Sequence, residues 1–166
     1  MSKIDIAVVD DFFNEKELNI LVSNLNRIQL KHGKNDSGTA LGFFSHNFNP
    51  DKENKWLFDK IKKTFFKDIE LKAVECSFRL RHSFTKVLPH IDSETEYNFL
   101  CYLKGKSLLH NGTGFYNNEG DIDRYVGFEK NRVLFFDSNI RHTNLQALGE
   151  SSPRYTLNMF YKKWVR

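Results

Sequence analysis

His90-Ile91-Asp92 sets two metal-competent side chains two residues apart. On an extended segment residues i and i+2 share a face, so the imidazole and the carboxylate can reach one ion while Ile91 turns away. By itself the pattern is weak, because a capped turn or a surface ion pair has the same spelling. A third donor strengthens it: His142 follows the apolar run 132–136. Two histidines and one carboxylate on one face form the facial triad of non-haem iron(II), which leaves coordination positions open for a co-substrate and oxygen. Catalytic zinc uses a similar set, so the ligands alone leave both metals open.

The segment after His142 separates the two. Pro153-Arg154-Tyr155-Thr156-Leu157-Asn158-Met159-Phe160-Tyr161 alternates in polarity, which places Arg154 and Thr156 on one strand face. A guanidinium fork beside a hydroxyl suits bidentate capture of a carboxylate in a partly buried site. A hydrolytic zinc centre has no evident need of that grip. The competing reading is a surface arginine at the start of a strand.

These residues need a scaffold that brings distant strands together. Asn14 and Glu17 have capping-box spacing before Leu18, Leu21, Val22, Leu25 and Ile28, which predicts a helix with one apolar face. Pro50 is placed to open a second helix carrying Trp56, Leu57, Phe58, Ile61 and Phe65. From Ile69 the period changes to two, with a one-residue slip between Ala73 and Val74 before Cys76, Phe78 and Leu80 resume the alternation. Further strands are expected over 4–9, 84–88, 97–103, 113–116, 125–128, 132–136 and 155–161. Many short strands after two helices predict an α+β protein on a β-sandwich or barrel.

A chain of 166 residues suits one domain. Residues 1–68 read as helical support and residues 69–166 as the β core. The net charge of +4 is not concentrated, since residues 1–68 carry 11 basic against 10 acidic residues and the remainder 14 against 11. That spread is no nucleic-acid footprint, and a protein side chain or a small molecule is the expected substrate class. The first twenty residues hold only a short apolar run broken by acids, which predicts neither a membrane anchor nor a secretion signal and makes the cytoplasm the expected location. Cys76 and Cys101 are expected as buried reduced thiols.

Taken in order, these motifs make the chain resemble the iron(II)- and 2-oxoglutarate-dependent oxygenase superfamily, and its prolyl-hydroxylase-like branch in particular. LPHID is similar to that family's first metal-binding strand, EYNFLCYLKG to its second, HNGTGFYN to its glycine-containing third, and RVLFFDSNIRHTNLQALGESSPRYTLNMFY to its paired distal strands. The resemblance implies a double-stranded β-helix core, of jelly-roll or cupin-like shape, with two N-terminal helices packed on the sheet. It also implies Fe(II) on His90, Asp92 and His142, 2-oxoglutarate as co-substrate, O2 as oxidant, and hydroxylation with release of succinate and CO2. Arg154 and Thr156 would meet the distal carboxylate of 2-oxoglutarate, as would Tyr102, whose competing role is that of a core tyrosine. The retained Asp92 argues against halogenation. Lys104 and the RLRHSF stretch depart from the prolyl hydroxylases and argue against carrying over a proline substrate.

Two other readings stay open: a cupin-like zinc or manganese hydrolase on the same ligands, and a β-sandwich binding module in which these residues are structural. Arg79, Arg81 and His82 either line the mouth of the site or are solvated strand-edge charges. The polar, glycine-bearing stretch 31–49 is the longest expected loop, and its Phe43, Phe44 and Phe48 either form a lid over the site or cap the sheet.

Overall fold

The helix that Asn14 announces forms over Glu15–Arg27 (α1) and is closed at its start by a reciprocal cap. The Asn14 side chain accepts from the Glu17 amide at 2.9 Å, and the Glu17 carboxylate accepts from the Asn14 amide at 2.9 Å. The chain is seen here in a computed structural model, which describes residues 5–34, 40–48, 54–67, 69–82, 88–145 and 153–163. A second helix, α2 (Lys55–Phe65), starts from Asn54 and buries Leu57 and Ile61. Pro50, expected to open it, lies outside the described residues. Lys60 of α2 pairs with Glu17 of α1 and ties the two helices together.

Of the two described helices only α1 lies near the N-terminus. Between the helices runs a hairpin of β2 (Lys31–Lys34) and β3 (Ala40–Phe44), so α2 sits mid-chain. The stretch expected as one long loop is therefore largely strand. Gly33 pairs with Gly42 across the hairpin, and a Cβ on either would collide with a neighbouring side chain. These glycines serve close packing of extended chain, where the sequence suggests loop flexibility.

The remaining strands are β1 (Ile6–Val9), β4 (Leu71–Arg81), β5 (Tyr97–Lys104), β6 (Leu108–Tyr116), β7 (Ile122–Phe128), β8 (Val133–Asp137), β9 (His142–Asn144) and β10 (Arg154–Lys163). They form a seven-stranded sheet in the order β1-β8-β5-β10-β4-β3-β2 and a three-stranded sheet in the order β7-β6-β9. Every pairing is antiparallel. The slip read at Ala73/Val74 is a bulge: Glu75 faces Phe160 and Ala73 faces Tyr161, leaving exposed Val74 as the extra residue. Of the strand expected over 84–88, residues 84–87 lie outside the described chain, and Leu88 is exposed and not in a strand.

The larger sheet has two unlike faces. Cys76, Phe78, Phe99, Cys101, Phe135, Leu157 and Met159 point toward the helices and make the main core with Leu21, Leu25, Leu57 and Ile61. Aromatic stacking closes this layer, with the Phe65 and Phe135 rings 4.8 Å apart and 9° from parallel. Each such side chain withdrawn from water contributes about 1.5–3 kcal/mol, so this face fixes the sheet on the helices. Burial pushes the Cys101 thiol above its ordinary range, in keeping with an unreactive core cysteine. The opposite face carries Leu100, Tyr102 and Leu134 at one end, packed on Phe115 and Phe128 of the smaller sheet, and polar side chains at the other. Among the described residues no helix is long and apolar enough to cross a membrane.

Candidate active site

The polar end of the space between the sheets is built by register. On β10, Arg154 faces Arg81 and Thr156 faces Arg79 across β4, while Thr156 faces Tyr102 and Phe160 faces Asn98 across β5. Alternation then turns Arg79, Arg81, Asn98, Arg154, Thr156 and Asn158 toward one depression, which His90, Asp92 and His142 also line.

His90 and His142 are joined through their backbones. The His90 amide donates to the His142 carbonyl at 3.0 Å, and the His142 amide donates to the His90 carbonyl at 2.9 Å. This isolated bridge brings the imidazole rings within 4.7 Å of each other. The Asp92 amide donates to the Ser138 carbonyl at 3.0 Å, which anchors the segment between β4 and β5 to the turn after β8. As a result one ligand-competent atom from each of His90, Asp92 and His142 lies within 4.8 Å of the others.

Both imidazoles are set in the same tautomer. His90 Nδ1 lies 2.9 Å from the Leu88 carbonyl and His142 Nδ1 lies 2.9 Å from the Ile140 carbonyl, so each Nδ1–H donates outward and each Nε2 lone pair faces inward. The Nε2 atoms stand 3.8 and 3.3 Å from the Asp92 carboxylate oxygens. Ligands about 2.1 Å from one ion in neighbouring positions lie roughly 3 Å apart, so this set, whose atoms lie within 4.8 Å of one another, reaches bonding distance by inward movement of its side chains. Asn98 Nδ2 donates to Asp92 Oδ2 at 2.5 Å, Ser138 Oγ donates to Asn98 Oδ1 at 3.0 Å, and Thr95 Oγ1 donates to Ser138 Oγ at 2.8 Å. The chain of hydrogen bonds fixes the carboxylate so that Oδ2 faces His142 and Oδ1 faces His90. Burial opposes ionisation of Asp92, yet the His142 ring 3.3 Å away and the hydrogen bond from the Asn98 amide hold its pKa below the ordinary carboxylate value. Burial lowers the pKa of His90 and favours its neutral form, the form that ligates metal.

Arg154 is 2% exposed, with its guanidinium 5.5 Å from the centre of the Tyr102 ring. Its Nη1 donates to the Gly112 carbonyl at 2.5 Å and has a weaker contact to the Asn111 carbonyl at 3.3 Å. Its Nε is buried without a hydrogen-bond partner among the described residues, as is the nearby Asn111 Oδ1. Among the described residues no carboxylate pairs with the guanidinium. A buried cation with a spare donor is costly unless something anionic meets it, so the donor chemistry fits a ligand carboxylate. Thr156 Oγ1 donates to Asn158 Oδ1 at 2.6 Å on the same face. Tyr102 is fully buried, its hydroxyl 2.8 Å from Thr113 Oγ1 and 3.3 Å from the Val126 carbonyl. Thus the two histidines, Asp92, Arg154 and Thr156 share the depression, and Tyr102 stands beneath Arg154.

Sequence reasoning passed over Asn98, Thr95 and Ser138. A signal for Asn98 was present, since it is the one amide inside the apolar strand YNFLCYL and is 4% exposed there. Arg79 and Arg81 line the depression, while His82 instead packs on Phe43. Phe44 lies over both guanidiniums, 5.1 Å from that of Arg79 and 4.8 Å from that of Arg81. Phe48 belongs to the core against Phe78, so the aromatics of 31–49 divide between site and core.

No protein-family model and no curated protein matches this sequence. Solved structures do match in fold. An oxidoreductase of the 2OG-Fe(II) oxygenase family from Burkholderia pseudomallei superposes with a TM-score of 0.73 at 11% identity, over 95% of this chain and 85% of that one. A Trichoplax adhaerens prolyl hydroxylase, solved with a hypoxia inducible factor peptide fragment, gives 0.68 at 14% identity over 95% and 83%. HygX from Streptomyces hygroscopicus, solved with nickel, 2-oxoglutarate and hygromycin B, gives 0.65 at 14% identity over 98% and 86%. The chain has the fold of these oxygenases.

Proposed function

We propose that this chain is an iron(II)- and 2-oxoglutarate-dependent dioxygenase that hydroxylates a protein side chain or a small molecule. The observation that carries the reading is the pairing, in one depression, of a two-histidine, one-carboxylate set with a buried arginine that has a spare donor. A hydrolytic metal site accounts for the first and leaves the second unexplained. Structures of the same fold hold Fe3+ with α-ketoglutarate in one case and nickel with 2-oxoglutarate in another. Both helices and both sheets serve this one site, and we read the chain as a single oxygenase domain.

In this reading His90, Asp92 and His142 hold the iron. Arg154 receives the far carboxylate of 2-oxoglutarate through the face that carries its free Nε, Thr156 offers its hydroxyl after releasing Asn158, and Tyr102 supports the guanidinium from below. Once bound there, the metal and 2-oxoglutarate would supply, with O2, the oxidising power for hydroxylation, 2-oxoglutarate ending as succinate and CO2. The protein positions the rest. Asn98 keeps Asp92 in one rotamer, the Leu88 and Ile140 carbonyls keep both imidazoles turned with Nε2 inward, and the Phe136 ring, 4.8 Å from His142, shields that ring from water.

Anaerobic addition of Fe(II) and 2-oxoglutarate tests the assignment. A weak visible charge-transfer band that needs both additions is expected, together with succinate formation once air is admitted. A folded, iron-loaded protein without that band would refute it.

A further inference from the structure

Arg81 has no part in the chemistry just described, yet it is 9% exposed and its Nη1 is buried without a hydrogen-bond partner among the described residues. Among the described residues its neighbours include Arg79 two positions earlier on β4, Arg154 opposite on β10, and the Phe44 face at 4.8 Å, and no carboxylate pairs with it. Burial, with the charges of Arg79 and Arg154, pulls its pKa down to about 9. An unpaired buried charge of this kind destabilises the fold, and such costs persist where the group meets a ligand.

The surroundings are shaped for the guanidinium. Gly42 of the β2–β3 hairpin has φ of +103°, and a Cβ built on it would lie 2.5 Å from Arg81 Nη1 and 2.6 Å from the Leu80 carbonyl. No side chain other than hydrogen fits there, so the hairpin closes over Nη1 and leaves the rest of the guanidinium to line the depression. Arg154 is engaged on the other side, by the Gly112 carbonyl of β6, and so the two guanidiniums are held by opposite walls. Arg79 is already spoken for, its Nη2 donating to Glu75 at 2.8 Å between the Phe44 and Phe160 rings.

We infer that Arg81, backed by Arg79 and covered by the β2–β3 hairpin, is a second anion subsite, and that the primary substrate carries an acidic group which docks there. The inference rests on the proposed function in taking the depression as the place where substrate is oxidised. The binding of an oxyanion by Arg81 does not depend on it.

The test titrates the full chain with sodium acetate and with sodium sulfate at constant ionic strength, with and without saturating diamagnetic Zn(II) and 2-oxoglutarate, following the Arg81 side-chain N–H by NMR. Acetate stands for a carboxylate and sulfate for a phosphate or sulfate ester. Saturable binding of either, unchanged by co-substrate and weakened at least tenfold in Arg81→Met but not in Arg154→Leu, is the expected result. The stronger of the two names the acidic group. Arg81→Met should also melt at a higher temperature than the parent, since it removes an unpaired charge and keeps the stem. Failure of both anions to bind, or their displacement by 2-oxoglutarate, would overturn the subsite; displacement would assign Arg81 to the co-substrate. Anion binding in a protein that takes up no 2-oxoglutarate would leave the subsite standing and remove the proposed function.

Discussion

Replacing Arg154 by leucine should cost co-substrate affinity while sparing both the metal and the fold. The size follows from how the guanidinium is used. Losing one partner of a buried charge pair costs about 2–5 kcal/mol, and because the Arg154 Nη1 is already given to the Gly112 carbonyl at 2.5 Å, the ligand has less than the whole fork. The lower part of the range, about 2–3 kcal/mol, corresponds to a roughly 30- to 150-fold weaker Kd. Stability should hold, because the Gly112 carbonyl keeps the Leu145 amide at 3.0 Å and because the substitution relieves repulsion against Arg81. The assay is an anaerobic titration of Fe(II)-loaded protein with 2-oxoglutarate, read from the charge-transfer band, with iron content measured on the same sample. An Arg154→Leu protein with parental affinity, or one that loses iron to the same degree, would sink the division of labour between the triad and the arginine. Arg154→Lys, which keeps the charge and loses the fork, should fall between the two.

Asn98→Ala frees the Asp92 carboxylate from its 2.5 Å anchor and should weaken iron binding by about 10–100-fold, measured by competition with a metal chelator, with co-substrate affinity at fixed metal saturation little changed. Metal should raise Tm in proportion to the logarithm of its free concentration, by about 2.7 kcal/mol of stability at a hundred times Kd, and His142→Ala should abolish that slope in a melting series. The exposed pair of Asp10 and Arg132 gives a pH test: the hydrogen bond from Arg132 holds Asp10 below its ordinary pKa of 3.8. A depressed carboxylate stabilises above its unfolded pKa and loses that contribution as pH falls through the folded value. Asp10→Asn should therefore lower Tm by a degree or so at pH 7, since exposed pairs contribute about 1 kcal/mol or less, and the gap should close below about pH 4. A gap that persists in acid would contradict the assignment.

The parts of the fold that were legible are those in which one residue's position follows from its near neighbours. The cap of α1 is such a case, because Asn14 and Glu17 are three residues apart and their bonds are local. The bulge at Val74 is another: a slip in alternation is a slip in which face the side chains take, and only an extra residue restores it. The 31–49 stretch misled for the opposite reason. Gly33 and Gly42 read as loop punctuation, yet they are needed because Arg81, Leu80 and Phe44 come close to them, and all but Phe44 are on a strand far along the chain. Nothing local in Gly42 says that a guanidinium will lie against it.

The same distinction runs through the site. HxD and the distal histidine could be found because metal ligation permits few residue types, so chemistry itself narrows the choice. The groups that hold those ligands are under no such constraint. A carbonyl of Leu88 or Ile140 orients an imidazole as well as any other would, and Ser138 and Thr95 enter only because a turn after β8 happens to meet the segment after Asp92. Arg81 lies between these cases. Its type was plain in the sequence, but a strand-end arginine is ordinarily solvated, and the cost that marks it as functional arises only when β3 covers it and β10 sets Arg154 opposite. An unfavourable charge can be recognised only against the structure that makes it unfavourable, which is why the proposed metal ligands could be read from the sequence and the proposed anion subsite only from the fold.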